Sequence, residues 1–323
     1  ARPARTVLAL GGHAIVGRGH IGTAGEQTAT IAAAMAVVAG LVASGGQVVI
    51  THGNGPQVGN LLTKNVLARH VVPAMPLHWC VAQTQATIGF AMLTALEREL
   101  AALGASRPVV PVLSRVLVRA DDPAWGEPTK PIGRLVEGAV AAAAVADDPT
   151  QRWADTGSAG WRRMVPSPEP VRSLEAGTVR LLLDAGAVVV ANGGGGVPVV
   201  DDGAGGHVGV EAVVDKDLAA AMLAVELDAD ALVILTDVEG VAVGYRSDDE
   251  RWLGEVEAPE VRALAAAHEF GRGSMGPKVE AALRFVEATG RPATIGHLDG
   301  AADAIAGRSG TRVVAAGRSA PAP

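Results

Sequence analysis

Short apolar runs rich in valine, leucine and isoleucine alternate along this chain with longer stretches of helical character. The short runs predict buried strands, and the longer stretches predict helices. The predicted strands are 7–10, 47–51, 108–113, 187–191, 231–236, 292–295 and 311–315, and the predicted helices are 28–43, 83–103, 171–184, 217–227, 259–268 and 275–288. Such alternation is typical of βαβ units, so we predict an α/β fold with an open, mainly parallel sheet.

Residues 119–167 interrupt this alternation, since they are rich in Asp, Pro, Gly, Trp and Arg and show little periodicity. Within them, only the Ala/Val run 139–146 has helical character. A disordered insert is one interpretation, but Trp125, Trp153 and Trp161 argue against it because disordered segments are usually poor in aromatic residues. We therefore predict a small subdomain or lid that projects from the main sheet.

The composition of the chain determines the kind of core that it can build. Of its 323 residues, 49% are hydrophobic but only 3% are aromatic, so the core must consist mainly of Ala, Val, Leu and Ile. The length is sufficient for one large domain or for two. An aliphatic core suits buried parallel strands covered by alanine-rich helices.

Charge and apolar pattern argue against several classes of partner. The net charge is −7, the isoelectric point is about 5.6 and no block of Lys or Arg occurs, so we expect neither nucleic acid nor an anionic membrane as a partner. The longest apolar stretches, such as 31–42, are too short to span a bilayer, and we expect no signal peptide and a cytoplasmic location. The single cysteine, Cys80, cannot form an internal disulfide and is interpreted as a small buried hydrophobic residue.

Three of the predicted strands run into glycine-rich turns, which are Gly11-Gly12, Gly53-Asn54-Gly55 and 193–196. Ligands of open parallel sheets bind outside the carboxyl ends of the strands, where glycine lets backbone N–H groups approach an anion. A single turn of this kind is more often only a turn. Three of them at strand ends favour an anionic ligand.

The glycine-rich turn after the predicted strand 47–51 matches neither of two common phosphate-binding motifs. No G-x-x-x-x-G-K-[ST] pattern occurs, which excludes a P-loop. Gly53, Gly55 and Gly59 form G-x-G-x-x-x-G, which is one residue too long for the dinucleotide fingerprint. An NAD enzyme is therefore disfavoured.

Lysine is scarce, and three of the four lysines stand in unusual sequence contexts. Lys130 lies in the stiff segment Pro-Thr-Lys-Pro, Lys216 lies between two aspartates at a predicted helix start, and Lys278 also lies at a helix start. Lys64 is expected on a solvated face. A lysine in the first turn of a helix opposes the helix dipole, which suggests a functional reason. Surface salt bridges are the alternative explanation for each lysine taken singly.

Lysines beside glycine turns suit phosphoryl transfer. The transferred group spreads negative charge over its equatorial oxygens, so catalysis depends on positioning and on cations, with Mg²⁺ bridging the phosphates. Lysine provides a compact point charge, and neighbouring aspartates can hold a lysine in place or bind the metal.

Seven segments together resemble the carbamate kinases of the amino acid kinase superfamily, and the resemblance extends over nearly the whole chain. The segments are LALGG (8–12), HGNGPQVGN (52–60), PTKPIG (128–133), NGGGGVP (192–198), VEAVVDKDLAA (210–220), LTDVEG (235–240) and GSMGPKVEAA (273–282). Their combined length makes the resemblance far more specific than any single glycine motif.

The resemblance implies a three-layer αβα sandwich, formed by a single domain over 1–323, that works as a cytoplasmic homodimer in arginine metabolism. It implies reversible phosphoryl transfer between ATP and carbamate, which gives ADP and carbamoyl phosphate, with Mg²⁺ as cofactor. The segment 119–167 would match the family's protruding subdomain. The N-terminal half would hold carbamate, and 187–323 would hold the nucleotide.

The resemblance also implies roles for individual residues. Those that would neutralise the phosphoryl group or orient the lysines are Lys130, Lys216, Lys278 and Asp217. Those expected at the substrate are Gly11, Gly12, His13, Gly53, Asn54, Gly55, Gly194 and Gly195. Those expected around the nucleotide are Thr236, Asp237, Val238, Gly240, Tyr245, Met275 and Gly276. No protein side chain is expected to bind the metal, because Mg²⁺ would arrive with ATP.

Two histidines depart from the pattern of the resembled family. His13 stands in Gly-Gly-His-Ala-Ile, where the family usually has asparagine, and His78 stands where aspartate is expected. Because histidine is larger and can carry charge, His13 could bind phosphate, crowd the site or alter the substrate. Two alternatives therefore stay open: a kinase of the same fold for another small acid or phosphonate, and a non-catalytic sensor of nucleotide or carbamoyl phosphate.

Overall fold

The computed structural model of the chain describes residues 3–17, 22–157, 160–268, 270 and 275–317, without the side chains of His13 and Arg134. Over these ranges the strands are β1 (Arg5–Leu10), β2 (Gln47–His52), β3 (Val109–Pro111), β4 (Arg115–Val118), β5 (Lys130–Val136), β6 (Arg152–Asp155), β7 (Trp161–Val165), β8 (Pro170–Ser173), β9 (Val188–Val190), β10 (Val197–Asp201), β11 (His207–Gly209), β12 (Ala231–Thr236), β13 (Ala242–Val243), β14 (Arg251–Trp252), β15 (Glu255–Glu257), β16 (Ala293–His297) and β17 (Thr311–Val314). The helices are α1 (Ala24–Ala43), α2 (Gly55–Ala68), α3 (Leu77–Ala102), α4 (Gly138–Asp147), α5 (Ala176–Asp184), α6 (Lys216–Glu226), α7 (Ala258–Ala266), α8 (Met275–Thr289) and α9 (Ala301–Ile305).

The largest sheet has eight strands in the order β15-β17-β16-β12-β1-β2-β9-β3. Neighbouring strands run parallel, except that β16 and β17 are antiparallel. All seven strands predicted from the sequence are members of this sheet. The α/β fold with an open, mainly parallel sheet is therefore confirmed.

Alternation along the central strand β1 explains why helices cover both faces of the sheet. All six residues of β1 are buried, and successive side chains of a strand point to opposite faces. Val7 and Ala9 pack in one hydrophobic cluster with residues of α5, α6, α7 and α8. Leu8 and Leu10 pack in a second cluster with residues of α1, α3 and α9. The result is the three-layer αβα sandwich that was expected.

A separate antiparallel sheet, with the strand order β5-β7-β6, lies within the segment 119–167 together with helix α4. We call this element the small sheet. Its first strand begins at Lys130 and packs against α2, where Gly59 and Gly133 lie back to back. A Cβ atom on Gly59 would overlap the Cα atom of Gly133, so only glycine permits this close approach. The assignment of 119–167 as a subdomain of a single domain stays a prediction.

The prediction of one helix over 171–184 is wrong in its first part. Residues Pro170–Ser173 form strand β8, which pairs antiparallel with β4, and the helix begins only at Ala176. Pro168 and Pro170 lack the N–H group that a helix needs and favour extended backbone in the residues before them. Pairing with β4 then satisfies the remaining backbone groups of the strand.

Several elements were missed or placed too short. Helix α2 follows β2 directly, although its glycines were interpreted only as a turn, and Pro56 occupies its first turn, where proline is favoured. Helix α3 begins at Leu77 rather than at 83. Helix α1 begins at Ala24, where Thr23 and Glu26 form a capping box. The strands outside the largest sheet were not predicted either.

Helix α1 requires a correction to the argument about membrane spans. The helix has 20 residues and is apolar enough, by length and composition, to cross a bilayer, which the shorter stretch 31–42 is not. Its buried face, which includes Ile31, Met35 and Val38, packs in the same hydrophobic cluster as residues of α3 and of the sheet. This packing is that of a core helix.

Candidate active site

The glycine-rich turns after β1, β2 and β9 meet at one edge of the largest sheet, because these strands are parallel neighbours. A cleft of about 230 Å³ opens there. The predicted site residues that line it are Gly12, Gly53, Asn54, Gly55, Gly194, Lys130, Lys216, Asp217 and Lys278. The structure thus brings all four predicted catalytic residues together with turns from all three strands.

Helix α6 brings two of the predicted catalytic residues to the cleft through its N-terminal cap. The side chain of Asp215 accepts hydrogen bonds from the N–H groups of Asp217, at 2.9 Å, and of Leu218, at 3.3 Å. This is the usual role of aspartate at an N-cap, and it fixes the first turn of the helix. Lys216 and Asp217 are therefore held at the mouth of α6, beside the glycine turns.

Asp217 is the centre of the charge cluster. One carboxylate oxygen accepts from Lys216 Nζ at 2.5 Å and the other accepts from Lys278 Nζ at 3.0 Å. Asp215 accepts from Lys130 Nζ at 2.5 Å. Lys278 and Asp217 are buried, at 8% and 3% exposure, so neither lies in an ordinary surface salt bridge. Three lysines with two aspartates leave an excess of positive charge at the cleft.

The pKa values in this cluster follow from burial and from the neighbouring charges. Burial alone would raise the pKa of Asp217, but the charges of Lys216 and Lys278 and their hydrogen bonds lower it to about 2. Burial lowers the pKa of Lys216 below its ordinary value, and the charge of Asp217 opposes that effect. Asp217 therefore stays ionised at neutral pH and keeps its two lysines in position.

The turn after β2 contains glycine for a steric reason and leaves its backbone open. A Cβ atom on Gly53 would lie 3.1 Å from the side-chain Cδ of Lys216, so glycine lets this lysine cross the turn. A Cβ atom on Gly12 or on Gly55 would have no neighbour within 4 Å. The backbone of both residues is thus open to a ligand in the cleft.

The turn after β9 is glycine-rich mainly because it is tightly packed. Added Cβ atoms on Gly193 and Gly194 would overlap the side chains of His52 and Asn54, and Gly194 has a φ angle of 66°. Gly194 lines the cleft, whereas Gly195 packs against the carbonyl group of Val214 and does not line it. A direct contact of Gly195 with substrate stays a prediction that the structure gives no reason to favour.

Two supporting residues of these turns were not predicted. His52 ends β2, is buried, and donates from Nδ1 to the carbonyl oxygen of Gly53 at 2.9 Å when that nitrogen carries the proton. Gln85 on α3 donates to the carbonyl groups of Ser114 and Gly193, at 3.0 and 2.9 Å. The position of His52 between a buried strand and Gly53 could have indicated its role in the turn. We find nothing in the sequence that would have indicated the role of Gln85.

The protonation state of His52 follows from its surroundings. Burial lowers its pKa to about 4, against a hydrogen bond to Gly53 that raises it, and the charge of Lys216 lowers it further. His52 is therefore neutral at physiological pH. It supports the turn without adding charge to the cleft.

The residues predicted for the nucleotide lie beside the cleft rather than in it. Thr236 ends β12, and Asp237 and Val238 follow it directly. Gly240 packs against Thr311, and Tyr245 is half exposed with its ring edge-on to Trp252 at 6.3 Å.

Two features show that the residues predicted for the nucleotide are close to the cleft. Met275 and Gly276 begin α8 immediately before Pro277 and Lys278, which line the cleft. Gly11 lies outside the cleft lining, and its N–H group donates to the carbonyl oxygen of Leu235 at 2.9 Å. The ends of β1 and β12 are thus adjacent, and the nucleotide roles stay predictions.

The two unexpected histidines have different outcomes. The side chain of His13 lies outside the described part of the structure. His78 lies in the first turn of α3 and packs against Gly209. Its Nδ1 atom is 3.2 Å from the carboxylate of Glu211, and the same carboxylate accepts a hydrogen bond from the N–H group of Leu77. His78 does not line the cleft.

Potential metal ligands are scarce among the described residues of the cleft, and Cys80 does not line it. Among the described residues, no group of three or more His, Cys, Asp or Glu side chains could hold a metal ion. Both aspartates at the cleft, Asp215 and Asp217, already accept hydrogen bonds from lysines, so this donor set does not fit a metal site. Cys80 is buried, as predicted, and its burial raises the pKa of the thiol.

Comparison with known proteins gives consistent results. The sequence model of the amino acid kinase family matches residues 4–297. The carbamate kinase of Pyrococcus horikoshii is 42% identical, over 96% of this chain and 99% of its own length. The carbamate kinase of Thermococcus kodakarensis is 44% identical over the same shares. The structure of carbamate kinase from Giardia lamblia bound to AMP-PNP matches with a TM-score of 0.90 and 37% identity, covering 97% of this chain and 99% of that chain.

Proposed function

The chain belongs to the amino acid kinase family, and we propose that it is a carbamate kinase. It transfers a phosphoryl group reversibly between ATP and carbamate, which gives ADP and carbamoyl phosphate. The observation that carries this proposal is the buried carboxylate of Asp217, which holds Lys216 and Lys278 side by side at a glycine-lined cleft.

The chemistry requires positioning and positive charge rather than a base. In the direction of carbamoyl phosphate synthesis, a carboxylate oxygen of carbamate attacks the γ-phosphorus of ATP, and the bond from phosphorus to the ADP oxygen breaks. Carbamate is already an anion, so no proton has to leave the attacking oxygen. The described lining of the cleft contains no histidine, and both of its aspartates are paired with lysines. Such a lining suits an acceptor that needs no deprotonation.

The three lysines have complementary positions around the transferred group. Lys216 and Lys278 come from the starts of α6 and α8, and Lys130 comes from the first strand of the small sheet. We assign them to neutralise the negative charge that spreads over the phosphoryl oxygens in the transition state. Asp217 acts as a positioning residue, because it contacts the lysines. Lys130 is held by Asp215 in the same way.

Substrate binding is assigned by size and by location. Carbamate is small, so the open backbone at Gly12 and Gly55, with Gly53 and Asn54 between the strands, would bind it. The adenine nucleotide would lie beyond Lys278, along the end of β12 and the start of α8. The bound AMP-PNP of the Giardia lamblia enzyme supports an ATP or ADP site.

Magnesium is assigned to the nucleotide rather than to the protein. The aspartates of the cleft do not fit a metal site, because lysines occupy their oxygens. Mg²⁺ would therefore be bound mainly by phosphate oxygens, and it supplies further charge neutralisation there.

The alternative functions have no observation in their favour. His78, one of the two residues that suggested another acceptor, lies away from the cleft on Glu211. A sensor that has lost catalysis would be expected to lack part of the lysine set, whereas Lys130, Lys216 and Lys278 all line the cleft. Substitution of His13 by asparagine should leave carbamoyl phosphate as the preferred phosphoryl donor.

A cytoplasmic homodimer with a place in arginine metabolism is part of the same proposal. Trp79 and Phe90 are exposed at 59% and 69% and lie eleven residues apart, which places them on one face of α3. An exposed apolar face of this kind favours a subunit interface. Light scattering should give twice the mass of one chain, and Phe90→Asp should lower it.

Donor specificity tests the proposed function directly. The purified protein should form ATP from ADP and Mg²⁺ with carbamoyl phosphate at least about a hundredfold more efficiently, in kcat/KM, than with acetyl phosphate. Acetyl phosphate is the matched control, since it differs in carrying a methyl group where carbamoyl phosphate has an amino group. Equal efficiency with both donors, or a preference for acetyl phosphate, would reject carbamate kinase in favour of a kinase for another small acid.

A further inference from the structure

A second cavity lies between α2 and the small sheet, next to the cleft but separate from it. Its volume is about 130 Å³, and most of its lining is apolar. We call it the α2 groove. Its lining includes Val66 on α2, Val140 on α4, and Ile132, Trp153 and Arg163 on the small sheet.

Arg163 is the unexplained member of this lining. It lies on β7, directly between Ile132 of β5 and Trp153 of β6, so the three side chains form a row on one face of the small sheet. Its Nε atom is buried and has no hydrogen-bond partner. Over the described ranges, its guanidinium makes no side-chain hydrogen bond or ion pair, although many other arginines of the chain do.

Arg163 is partly buried, and its buried Nε atom is costly to the folded chain unless a hydrogen-bond acceptor pairs with it. A buried charge normally requires a partner of opposite charge and hydrogen-bond acceptors. Burial lowers the pKa of Arg163, and the carboxylates that oppose this effect, Glu211 and Asp148, are not within ion-pair distance of it. The groove therefore combines apolar walls with a partly buried guanidinium whose Nε atom has no hydrogen-bond partner.

That combination recognises one class of molecule. A guanidinium binds a carboxylate through two parallel hydrogen bonds, and apolar walls favour a short hydrocarbon chain attached to it. We propose that the α2 groove is a binding site for a small carboxylate with a short apolar chain, with Arg163 as the carboxylate-binding residue. This site is distinct from the carbamate cleft.

The position of the groove connects it to the catalytic lysine. Ile132 lines both the groove and the cleft, and Lys130 lies two residues before it on the same strand and the same face. Gly59 and Gly133, which also line the groove, form the close contact between α2 and the small sheet. A ligand between these elements would therefore shift β5 and, with it, the ammonium group of Lys130.

Hexanoate is a suitable probe, with hexylamine as the control that has the same number of carbons and the opposite charge. Isothermal titration calorimetry should show that hexanoate binds and that hexylamine does not. Arg163→Met should weaken hexanoate binding at least about tenfold, because a charge-assisted hydrogen bond is lost. Val66→Trp, which fills the groove and keeps Arg163, should weaken it similarly. Arg152→Met, on the adjacent strand with an exposed side chain, is the matched control and should leave binding unchanged.

Further measurements distinguish binding in the α2 groove from binding in the cleft. Lys216→Ala should keep hexanoate binding, and hexanoate should change the kcat of ATP formation by the wild type, but not by Arg163→Met, at saturating carbamoyl phosphate. Loss of hexanoate binding in Lys216→Ala would place the ligand in the cleft and overturn the proposal. Equal binding to wild type and Arg163→Met would also overturn it. The proposal would also be overturned if hexanoate did not bind to the wild type and if light scattering gave a lower mass for Arg163→Met than for the wild type. That result would assign the groove to a second copy of the chain.

Discussion

At the scale of single residues, the site depends on where buried charges find partners. Asp217 satisfies two lysines at once, and Asp215 both caps α6 and pairs with Lys130. Removing one partner from such a set leaves an uncompensated buried charge, which costs far more than the loss of a surface pair. The lysines identified by their odd contexts are thus functional candidates because the fold buries them together. Lys64 is exposed, as expected.

His52 yields a prediction about pH at this scale. Because burial lowers its pKa to about 4, the unfolded chain binds a proton between about pH 6.5 and pH 4 while the folded chain does not. Stability from this residue is therefore complete above pH 6.5 and is lost as the pH falls through that window. Urea denaturation should show that His52 alone makes the protein about 2 kcal/mol less stable at pH 5 than at pH 7.

The comparison variants isolate the contribution of His52. His52→Gln should remove this part of the pH dependence, whatever its effect on stability at pH 7. His70→Gln changes an exposed histidine and should keep the pH dependence of the wild type. Identical pH dependence in wild type and His52→Gln would show that His52 is not a neutral buried histidine.

At the scale of elements, the sequence predicted the strand ends better than the elements that follow them. Apolar runs that stop at glycine indicated the turns after β1, β2 and β9, and the parallel fold brings them to one edge. Helix α2 was not predicted, because Gly55 and Gly59 have a low helix propensity. Contact with the small sheet overrides that propensity, and the small sheet is far from α2 in the sequence. The antiparallel pairing of β8 with β4 is likewise long-range, which explains the wrong helix start at 171.

Gly59→Ala tests whether α2 positions the small sheet. The added Cβ atom would overlap Gly133 Cα and lie within 2.5 Å of Gly133 N, so β5 has to move. We expect a loss of at least about tenfold in kcat, because Lys130 moves with β5. Gly40→Ala, in α1 with no neighbour within 4 Å, is the matched control and should stabilise the protein by up to about 1 kcal/mol without changing kcat. Wild-type kcat in Gly59→Ala would show that this contact does not position Lys130.

At the scale of the whole molecule, strand order creates the site. The strand β1 lies between β12 and β2, so the turns expected to bind carbamate are next to the end of β12, where the nucleotide is expected. An alternating pattern predicts parallel strands but not their order. The pairing of Asp217 with Lys278, 61 residues apart, was likewise not visible in the sequence. The resemblance to a known family supplied these roles, and the contacts now provide a physical reason for them.

The most direct test of the central claim is the rate of ATP formation from ADP, Mg²⁺ and carbamoyl phosphate by the wild type, Lys216→Met and Lys64→Met. Lys216→Met removes a cation at the cleft, whereas Lys64→Met removes one from the exposed face of α2. We predict that kcat falls at least about a hundredfold in Lys216→Met and is unchanged in Lys64→Met, with native circular dichroism in both. Wild-type kcat in a folded Lys216→Met protein would contradict the assignment of this cluster to phosphoryl transfer.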